Sequence, residues 1–271
     1  MTELICPVCA AALLQEEKRF VCPAGHCFDR AKTGYVNLLP PTASCKRHGD
    51  DRLMVRARTE FLNKGFYDKL ADEIAACVAA RMPQAPCVLD AGCGEGMYTA
   101  KIYDALLALG KQPQVIGVDI SKEALIAASK RSKSLILAVA STAKLPLADE
   151  SVDCVTNIFS PFLPVEFARV LKTGALLVRV VPLEKHLWEL KQLIYETPYL
   201  NPPLEEAAPG FRLLEKQQIR YAIMLHGGEI NDLFRMTPYY YKTGREDQKK
   251  AERAEKLTTT LEFGIWLYEK E

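Results

Sequence analysis

The stretch that decides the fold is Val88-Leu89-Asp90-Ala91-Gly92-Cys93-Gly94-Glu95-Gly96. Its apolar start predicts a buried strand that ends at an acidic residue, Asp90, and three glycines spaced G-x-G-x-G follow directly. Glycine reaches backbone conformations that are closed to other residues, so such a loop can pass close to a ligand. The spacing differs from the G-x-G-x-x-G pattern that places a dinucleotide pyrophosphate at a helix N-terminus. The stretch therefore indicates a first strand followed by a ligand-binding loop of another kind.

Apolar runs alternate with amphipathic stretches on the carboxyl side of this loop. Strands are predicted over 87–90, 114–119, 134–140, 152–158 and 175–181, and helices over 98–109, 122–131, 165–171 and 183–195. Strands separated by helices imply right-handed βαβ units and a parallel sheet covered on both faces. Alternating apolar positions in 216–226 and 258–268 predict added antiparallel strands at one edge. The predicted fold class is therefore α/β, with a Rossmann-like domain.

The composition excludes several classes of protein. The chain has 271 residues, a formal net charge of +1 and 49% hydrophobic residues, so extensive disorder is not expected. It has no uncharged apolar run long enough to span a bilayer, and the N-terminus lacks the basic and apolar regions of a secretory signal. We therefore expect a cytoplasmic protein with no membrane partner. Nine cysteines in a reducing compartment indicate metal binding more than disulfides.

A cysteine pair and a cysteine–histidine pair near the N-terminus predict a zinc site. Cys6 and Cys9 are spaced C-x2-C, and Cys22 and His26 follow after twelve residues as C-x3-H. Thiolates and an imidazole at this spacing can converge on one tetrahedral Zn²⁺. Four protein ligands leave no open coordination position, so the zinc is expected to be structural. Cys27 directly follows His26 and is the alternative fourth ligand.

The residues around the glycine loop favour a cationic cofactor. Glu95 inside the loop would repel a pyrophosphate, whereas an acidic strand end and loop suit the ammonium and sulfonium of S-adenosylmethionine. Asp119 ends the second predicted strand, where a carboxylate can bind the ribose hydroxyls. Ser141 follows the third strand, where the adenine would lie. This order of elements is typical of a class I methyltransferase, and it assigns Asp90, Gly92, Gly94, Asp119 and Ser141 to the cofactor site.

Several longer strings resemble one family of enzymes. They include Cys6-Pro-x-Cys, Cys22-Pro-x-x-His26, Gly34-Tyr35-Val36-Asn37-Leu38-Leu39-Pro40, His186-Leu187-x-Glu189-Leu190-Lys191 and Met236-Thr237-Pro238. With the glycine loop, they resemble the RlmA family of bacterial 23S rRNA (guanine-N1)-methyltransferases, which includes the tylosin-resistance type. The match covers nearly the whole chain, and the zinc module and the string from Gly34 to Pro40 are far more specific than the glycine loop.

The resemblance implies a zinc module that helps to recognise RNA, a class I methyltransferase domain and a homodimer. It places the cofactor against Tyr67, Gly96, Met97 and His186. Two positions depart from related enzymes. Ser141 stands where many class I enzymes have an aspartate for the adenine amino group, and Met97 stands where an aromatic residue is common.

Breaks in composition divide the chain into three zones. Residues 1–40 are the predicted zinc-binding, RNA-recognition module, which ends at Pro40-Pro41. Residues 41–82 are a basic connector and a helical segment that covers the cofactor, with apolar residues at helical spacing from Phe61 to Val78. Residues 83–271 form the predicted methyltransferase domain.

Two groups of residues are candidates for the RNA substrate. Asn157 and Phe159 follow the fourth strand, where class I enzymes approach the acceptor, and Phe159 could equally be a core residue. Arg52, Arg56 and Arg58 lie in the densest basic stretch, with Lys46 and Arg47, and could equally form a solvated charged face. RNA is the expected nucleic-acid partner, and no DNA partner is expected. No residue type in the sequence identifies the catalytic proton acceptor.

The predicted function is transfer of a methyl group from S-adenosylmethionine to N1 of a guanine in a large-subunit rRNA hairpin. One alternative is a methyltransferase for small molecules that carries a zinc appendage. The other is a non-catalytic RNA-binding protein with a relic cofactor fold, against which the complete set of Asp90, the three loop glycines and Asp119 argues.

Overall fold

The computed structural model describes residues 3–40 and 49–271. The strands are β1 (Leu14–Gln15), β2 (Arg19–Val21), β3 (Cys27–Asp29), β4 (Tyr35–Asn37), β5 (Cys87–Ala91), β6 (Gln114–Asp119), β7 (Ile136–Val139), β8 (Val152–Ile158), β9 (Leu171–Pro182), β10 (Phe211–His226) and β11 (Lys256–Lys270). The helices are α1 (Arg52–Leu62), α2 (Asp68–Arg81), α3 (Met97–Ala108), α4 (Lys122–Arg131), α5 (Pro164–Val170), α6 (Trp188–Ile194), α7 (Gly228–Arg235), α8 (Tyr239–Lys242) and α9 (Arg245–Arg253).

Eight strands form one sheet in the order β10-β11-β9-β8-β5-β6-β7-β4. The strands from β4 to β9 pair in parallel, and β11 lies antiparallel between β9 and β10. The chain runs outward from β5 through β6 to β7, and then returns to β8 on the other side of β5. In open α/β sheets, ligands bind outside the carboxyl ends of the strands at such a reversal. The predicted α/β, Rossmann-like fold with added antiparallel strands is confirmed.

Local backbone conformation explains where the elements differ from the prediction. The helical pattern from Phe61 to Val78 belongs to two helices, because the chain turns between α1 and α2 at Gly65, whose φ is +82°. The helix predicted over 183–195 is shorter at both ends, as α6. Its amino end starts late because the N–H groups of Leu183 and Leu187 donate to carbonyls of β11, at Glu262 and Thr260. Helices α7, α8 and α9 between β10 and β11 were not predicted.

The sheet separates two apolar clusters. Buried residues of α1 to α4, α6 and α7 pack in one cluster, and α5 and the N-terminal module contribute to the other. Along β5, Val88 belongs to the first cluster, and Leu89 to the second. This alternation reflects the two-residue repeat of a strand that is covered on both faces.

The N-terminal module joins the large sheet directly. Its three-stranded sheet has the order β1-β2-β3, and β4 then pairs with β7 at the edge of the large sheet. The N–H of Leu38 donates to the carbonyl of Val139 at 2.9 Å, and Leu4 forms a bridge with Leu147. The boundary at residue 40 stays a prediction, as do those of the other two zones. Among residues 3–40 and 49–271, no helix is long and apolar enough to cross a membrane.

Candidate active site

A cavity of about 770 Å³ lies at the carboxyl ends of β5, β6, β8 and β9. Its volume is in the range of pockets that hold cofactors and other small molecules. We call its two sides the cofactor wall, formed by residues 90–95 and Asp119, and the acceptor wall, formed by residues 158–162 and Arg179. Among the predicted cofactor residues, those in the cavity lining are Tyr67, Asp90, Gly92, Gly94, Asp119, Ser141 and His186.

Close contacts make glycine necessary at the first turn of the cofactor wall. Gly92 has a φ of +88°, and a Cβ at this position would lie 2.5 Å from Cβ of Ser160 on the acceptor wall. Any other residue would therefore be strained in its backbone and would also collide with its neighbour. Gly92 thus lets the two walls approach each other at the base of the cavity.

Two aspartates brace the cofactor wall from inside. The carboxylate of Asp119 accepts hydrogen bonds from the N–H groups of Gly94, at 2.9 Å, and Ser121, at 2.8 Å. Asp90 is buried and accepts from the hydroxyls of Thr99, at 2.5 Å, and Thr156, at 2.9 Å. Burial raises the pKa of both carboxyl groups, that of Asp90 to about 6. These bonds hold the loop in position before a cofactor binds.

Glu95 does not present a free negative charge to the cavity. Its carboxylate forms an ion pair with Arg131, whose Nε lies 2.8 Å from Oε2, and it also accepts from the N–H of Met97. The prediction that Glu95 would repel a pyrophosphate therefore has a weaker physical basis than the sequence indicates. Arg131 also donates to Asn63 at 2.6 Å, so this pair ties the glycine loop to the turn after α1.

Two of the predicted cofactor residues lie behind the cavity lining. Gly96, which precedes α3 and has a φ of +84°, packs against Ala128 of α4. Met97 is buried in the core. Ser141 is in the lining, and its hydroxyl accepts from the N–H of Ala143 at 3.2 Å. Direct cofactor contact by Gly96 and Met97 stays a prediction.

Phe263 on β11 brings together three predicted site residues from distant parts of the chain. Its ring centre lies 5.2 Å from that of Tyr67, 5.5 Å from Phe159 and 4.7 Å from His186. Aromatic rings at these separations pack favourably in tilted or edge-on geometry. Sequence reasoning missed this role of Phe263, because the alternating pattern of β11 indicates only a strand residue there.

His186 is held as a neutral ring. It is 7% exposed, and its Nδ1 accepts a hydrogen bond from the N–H of Glu262 at 3.3 Å. A neutral imidazole that accepts at Nδ1 carries its proton on Nε2. Burial, with a smaller contribution from Lys191, lowers the pKa of His186 to about 3. His186 is therefore suited to hydrogen bonding and packing, and not to carrying charge at neutral pH.

The acceptor wall is held by its own hydrogen bonds and exposes an aromatic ring. Asn157 donates to the hydroxyl of Ser160 at 2.5 Å and to the carbonyl of Pro161 at 3.1 Å. Phe159 has a φ of +53° and a side chain that is 43% exposed in the cavity lining. Such a conformation is unfavourable for a bulky residue and occurs at functional sites where the surroundings impose it. Asn157 is buried behind the lining.

The structure separates the three predicted arginines. Arg58 lies in the cavity lining, pairs with Asp50 and donates to the carbonyl of Met236 at 3.2 Å. Arg52 and Arg56 are exposed on α1, and Arg56 pairs with Glu60. Lys46 and Arg47 lie outside the described residues. Arg58 is thus part of the cavity, whereas Arg52 and Arg56 are on the surface.

Sequence reasoning missed two parts of the cavity. Met236, Thr237 and Tyr239 line one side, although the string Met236-Thr237-Pro238 stands out in the sequence only for its resemblance. Arg179 also lines the cavity, and its signal in the sequence is a single charge inside the apolar run 176–181 of β9. A charge within a strand buried on both faces is unusual and can mark a functional residue.

The four predicted zinc ligands come together in the N-terminal module. The ligand atoms of Cys6, Cys9, Cys22 and His26 all lie within 4.8 Å of one another, and Cys22 Sγ lies 3.6 Å from Cys9 Sγ. Zinc bonded tetrahedrally at about 2.3 Å places its ligands roughly 3.8 Å apart, so the cluster fits the metal. Cys27 is exposed and outside this group, although assignment of the fourth ligand stays a prediction.

Two family models match separate parts of the chain. A family profile described as "RlmA, N-terminal" matches residues 4–47, and one described as "Methyltransferase domain" matches residues 88–180. The solved structure of YcgJ from Bacillus subtilis superposes with a TM-score of 0.49 at 17% identity, covering 75% of this chain and 99% of that one.

Two curated relatives span most of the chain. YxjB of Bacillus subtilis, which has the provisional name of a 23S rRNA (guanine-N1)-methyltransferase, is 31% identical over 270 residues, or 96% of this chain and 94% of YxjB. The 23S rRNA (guanine(748)-N1)-methyltransferase of Streptomyces fradiae is 32% identical over 245 residues, or 87% of this chain and 84% of that protein. The chain therefore belongs to the RlmA family of 23S rRNA (guanine-N1)-methyltransferases, and it is an enzyme that uses S-adenosylmethionine and has a structural zinc site.

Proposed function

We propose that this enzyme methylates N1 of a guanine in a hairpin of 23S rRNA. The observation that carries the proposal is the cavity in which a braced cofactor wall faces an acceptor wall with an exposed aromatic ring. The names of the relatives and the match to the RlmA zinc module support RNA as the acceptor and argue against a small molecule.

The chemistry of guanine N1 sets what the acceptor wall must do. N1 lies on the Watson–Crick edge, so the target base must be unpaired or turned out of its stack before a methyl group can reach it. Phe159 offers an exposed ring on which a flat base can stack. N1 also carries a proton at neutral pH, and its loss leaves negative charge shared with O6, which the enzyme must stabilise.

The cofactor wall would hold S-adenosylmethionine through Asp119, Gly94 and the other lining residues of this wall. When bound, the cofactor supplies a methyl group on a positively charged sulfur, and transfer depends chiefly on the alignment of methyl group and N1. Because Asp119 already accepts from two N–H groups, its carboxylate is fixed in place for the ribose hydroxyls. Neutral His186 and buried Tyr67 would close the cavity around the cofactor.

The proposal extends to assembly and location. The zinc module would help to bind RNA, and the exposed Arg52 and Arg56 would contact phosphates. The resemblance to the family supports a homodimer, which light scattering on the purified protein would test. A cytoplasmic location follows from an rRNA substrate.

The decisive experiment is nucleoside mass spectrometry on 23S rRNA that lacks this modification, incubated with the protein and S-adenosylmethionine. We expect new 1-methylguanosine, and fragment mapping would then give its position. If the protein binds the cofactor but no methylated nucleoside forms, the proposal is wrong and a small-molecule acceptor becomes the better hypothesis. If it binds RNA but not the cofactor, the relic-fold alternative is favoured.

A further inference from the structure

Arg179 is a buried, positively charged residue in the lining of the cavity. It lies near the carboxyl end of β9, opposite Asn157 of β8, and is 8% exposed. Arg58, the other arginine of the lining, is paired with Asp50. Across residues 3–40 and 49–271, by contrast, no aspartate or glutamate forms an ion pair with Arg179. A buried cation is costly, so an uncompensated one in a cavity indicates an anionic ligand.

The guanidinium group of Arg179 is fixed in orientation. Its central carbon lies 3.8 Å from the ring centre of Phe162 and 5.6 Å from that of Trp266. Its Nη1 donates to the carbonyl of Glu205 at 3.0 Å. Its Nε is buried and has no acceptor among residues 3–40 and 49–271, which is rare for a buried donor. The guanidinium therefore packs against aromatic rings, and its bonds to the Glu205 carbonyl and Tyr268 do not use all five of its N–H donors within the described residues.

We infer that Arg179 forms an oxyanion subsite, in which its guanidinium donates to O6 of the guanine while negative charge develops there. This inference rests on the proposed function. The N1 proton is lost to solvent, and the electron pair it leaves is shared between N1 and O6. The N1 pair then bonds to the methyl carbon, the bond from sulfur to methyl breaks, and its electron pair returns to sulfur. Arg179 stays protonated throughout and is not the proton acceptor.

Burial favours a base oxygen over a backbone phosphate as the ligand. Arg179 is stacked on Phe162 within the acceptor wall, whereas phosphates of bound RNA follow the protein surface. The residues around Arg179 are Asn157 on β8, Phe162, Glu205 through its carbonyl, and Trp266 and Tyr268 on β11. Burial raises the pKa of Tyr268, and its hydrogen bond with Arg179 acts in the opposite direction. None of these groups supplies a carboxylate that titrates against Arg179.

The test is the pH dependence of single-turnover methyl transfer to a 23S rRNA hairpin. Arg179→Met and Arg179→Gln both remove the charge, and Gln carries the test if Met impairs folding. Loss of one donor to a developing oxyanion typically lowers the rate about 10²–10³-fold, so we expect a loss of this order at pH 7. The rising limb of the plot of rate against pH should move to higher pH, because guanine N1 must then lose its proton without the charge of Arg179 to stabilise the product anion. Arg179→Lys should restore part of the rate, since it keeps the charge but not the planar fork.

Cofactor binding separates this role from a structural one. S-adenosylmethionine affinity should stay within about threefold of wild type in all three variants. Arg169→Met is the matched control, because Arg169 is ion-paired with Glu166 and lies outside the cavity lining, so its pH profile should not move. Titration of Asp90 is common to every variant and cancels in the comparison.

Three results would overturn the inference. The first is an unshifted limb and a rate within threefold of wild type in cofactor-binding Arg179→Met or Arg179→Gln. The second is weaker RNA binding with an unshifted limb, which would assign Arg179 to a phosphate. The third is the absence of 1-methylguanosine with the wild-type enzyme, which would remove the proposed function as well. The first two leave the proposed function standing.

Discussion

The two walls of the cavity satisfy their polar groups in different ways. On the cofactor wall, Asp90 and Asp119 each accept two hydrogen bonds, and Glu95 is paired with Arg131. On the acceptor wall, Arg179 has a buried Nε without an acceptor in the described part of the chain, and Phe159 exposes its ring from a strained backbone. The polar groups of the cofactor wall are thus bonded to one another, whereas the acceptor wall combines an arginine without an ion pair among the described residues with an exposed aromatic ring.

This difference separates binding of the cofactor from binding of RNA. Variants of the cofactor wall should change affinity for S-adenosylmethionine first. Variants of the acceptor wall, or of surfaces that guide RNA to it, should leave that affinity unchanged and alter methylation. The predictions for the zinc site, Phe159 and the surface arginines compare cofactor affinity with methylation or RNA binding, so a variant that changes the wrong quantity contradicts this division.

The largest effect should follow loss of zinc, which we expect to lower rRNA methylation and to leave the cofactor wall unchanged. Cys22→Ser removes a predicted ligand, and structural zinc contributes roughly 10 kcal/mol or more to small modules of this kind. We expect loss of bound zinc and at least a 100-fold drop in rRNA methylation, with S-adenosylmethionine binding retained. The matched control is Cys27→Ser, which alters an adjacent, exposed cysteine outside the cluster. If Cys27→Ser loses zinc instead, the assignment of His26 as fourth ligand is wrong.

Next in size is the contact that joins the two walls. Gly92→Ala places a methyl group 2.5 Å from Cβ of Ser160, which is too close for two carbon atoms. We therefore expect at least a 100-fold loss of cofactor affinity and a lower melting temperature. Gly174→Ala is the control, because Gly174 also has a positive φ, of +75°, but a Cβ there would meet no described atom within 4 Å beyond its chain neighbours. That variant should cost only about 1 kcal/mol, from backbone strain alone. Equal losses in the two variants would show that the wall contact has no special weight.

The sequence predicted the cofactor wall better than the acceptor wall, and the cause is physical. Asp119 ends β6, which pairs with β5, and accepts from Gly94 of the loop after β5 and from Ser121, so the order of strands and loops carries much of the geometry. The acceptor wall is assembled by contacts across the sheet, such as those of Phe159 with Phe263 and Arg179 with Trp266. No local pattern encodes such pairs, because they depend on the register of β8, β9 and β11.

The fold followed from the sequence for the same reason. Alternation of apolar runs and helical patterns predicted the strands β5 to β9, with differences only at their ends, whereas β4 and the helices α7 to α9 were not predicted. Helix α6 begins late because Leu183 and Leu187 are bonded to β11, which lies about 75 residues further along the chain. Helix α7 has buried apolar residues at helical spacing, Ile230, Leu233 and Phe234, but α7 and α8 are only eight and four residues long, so their patterns are too short to predict a helix.

Lowering the pH should reduce the free energy of unfolding, because His186 is neutral in the folded protein. Its pKa is lowered to about 3 in the folded protein, so its stabilising effect is full above the unfolded pKa near 6.5 and is lost as the pH falls toward 3. From pH 7 to pH 5, this histidine should cost about 2 kcal/mol of unfolding free energy. His186→Asn should remove that dependence in urea titrations. Asp90 acts in the opposite direction, because its pKa is raised to about 6, but it does so equally in both proteins.

The control for His186 is His226→Asn, at an exposed position near the end of β10. This variant should keep the wild-type pH dependence. If His186→Asn also keeps the wild-type pH dependence of the free energy of unfolding, the ring of His186 is not held neutral by burial.

A smaller effect is expected from the exposed ring of the acceptor wall. Phe159→Leu keeps an apolar side chain but removes the flat surface, and stacking of one base contributes roughly 1–3 kcal/mol. We expect kcat/KM for the rRNA hairpin to fall roughly 5- to 150-fold while S-adenosylmethionine affinity stays the same. A fall in cofactor affinity alone would instead place Phe159 on the cofactor side of the cavity.

The smallest effect should come from the surface arginines. The structure separates Arg58 from Arg52 and Arg56, which the sequence analysis treats as one basic stretch. Arg56 has a side chain that is 76% exposed and pairs with Glu60, whereas Arg58 is bonded within the cavity to Asp50 and Met236. Arg52→Gln with Arg56→Gln should weaken RNA binding severalfold at low salt, flatten its salt dependence and leave cofactor affinity intact, because phosphate contacts act through counterion release. Arg58→Gln should lower cofactor affinity at any salt concentration, because it loosens the segment that carries Asp50. If Arg58→Gln instead weakens RNA binding in a salt-dependent way and leaves cofactor affinity intact, the cofactor site does not need the ion pair of Arg58 with Asp50. The three arginines then act as one RNA-binding surface.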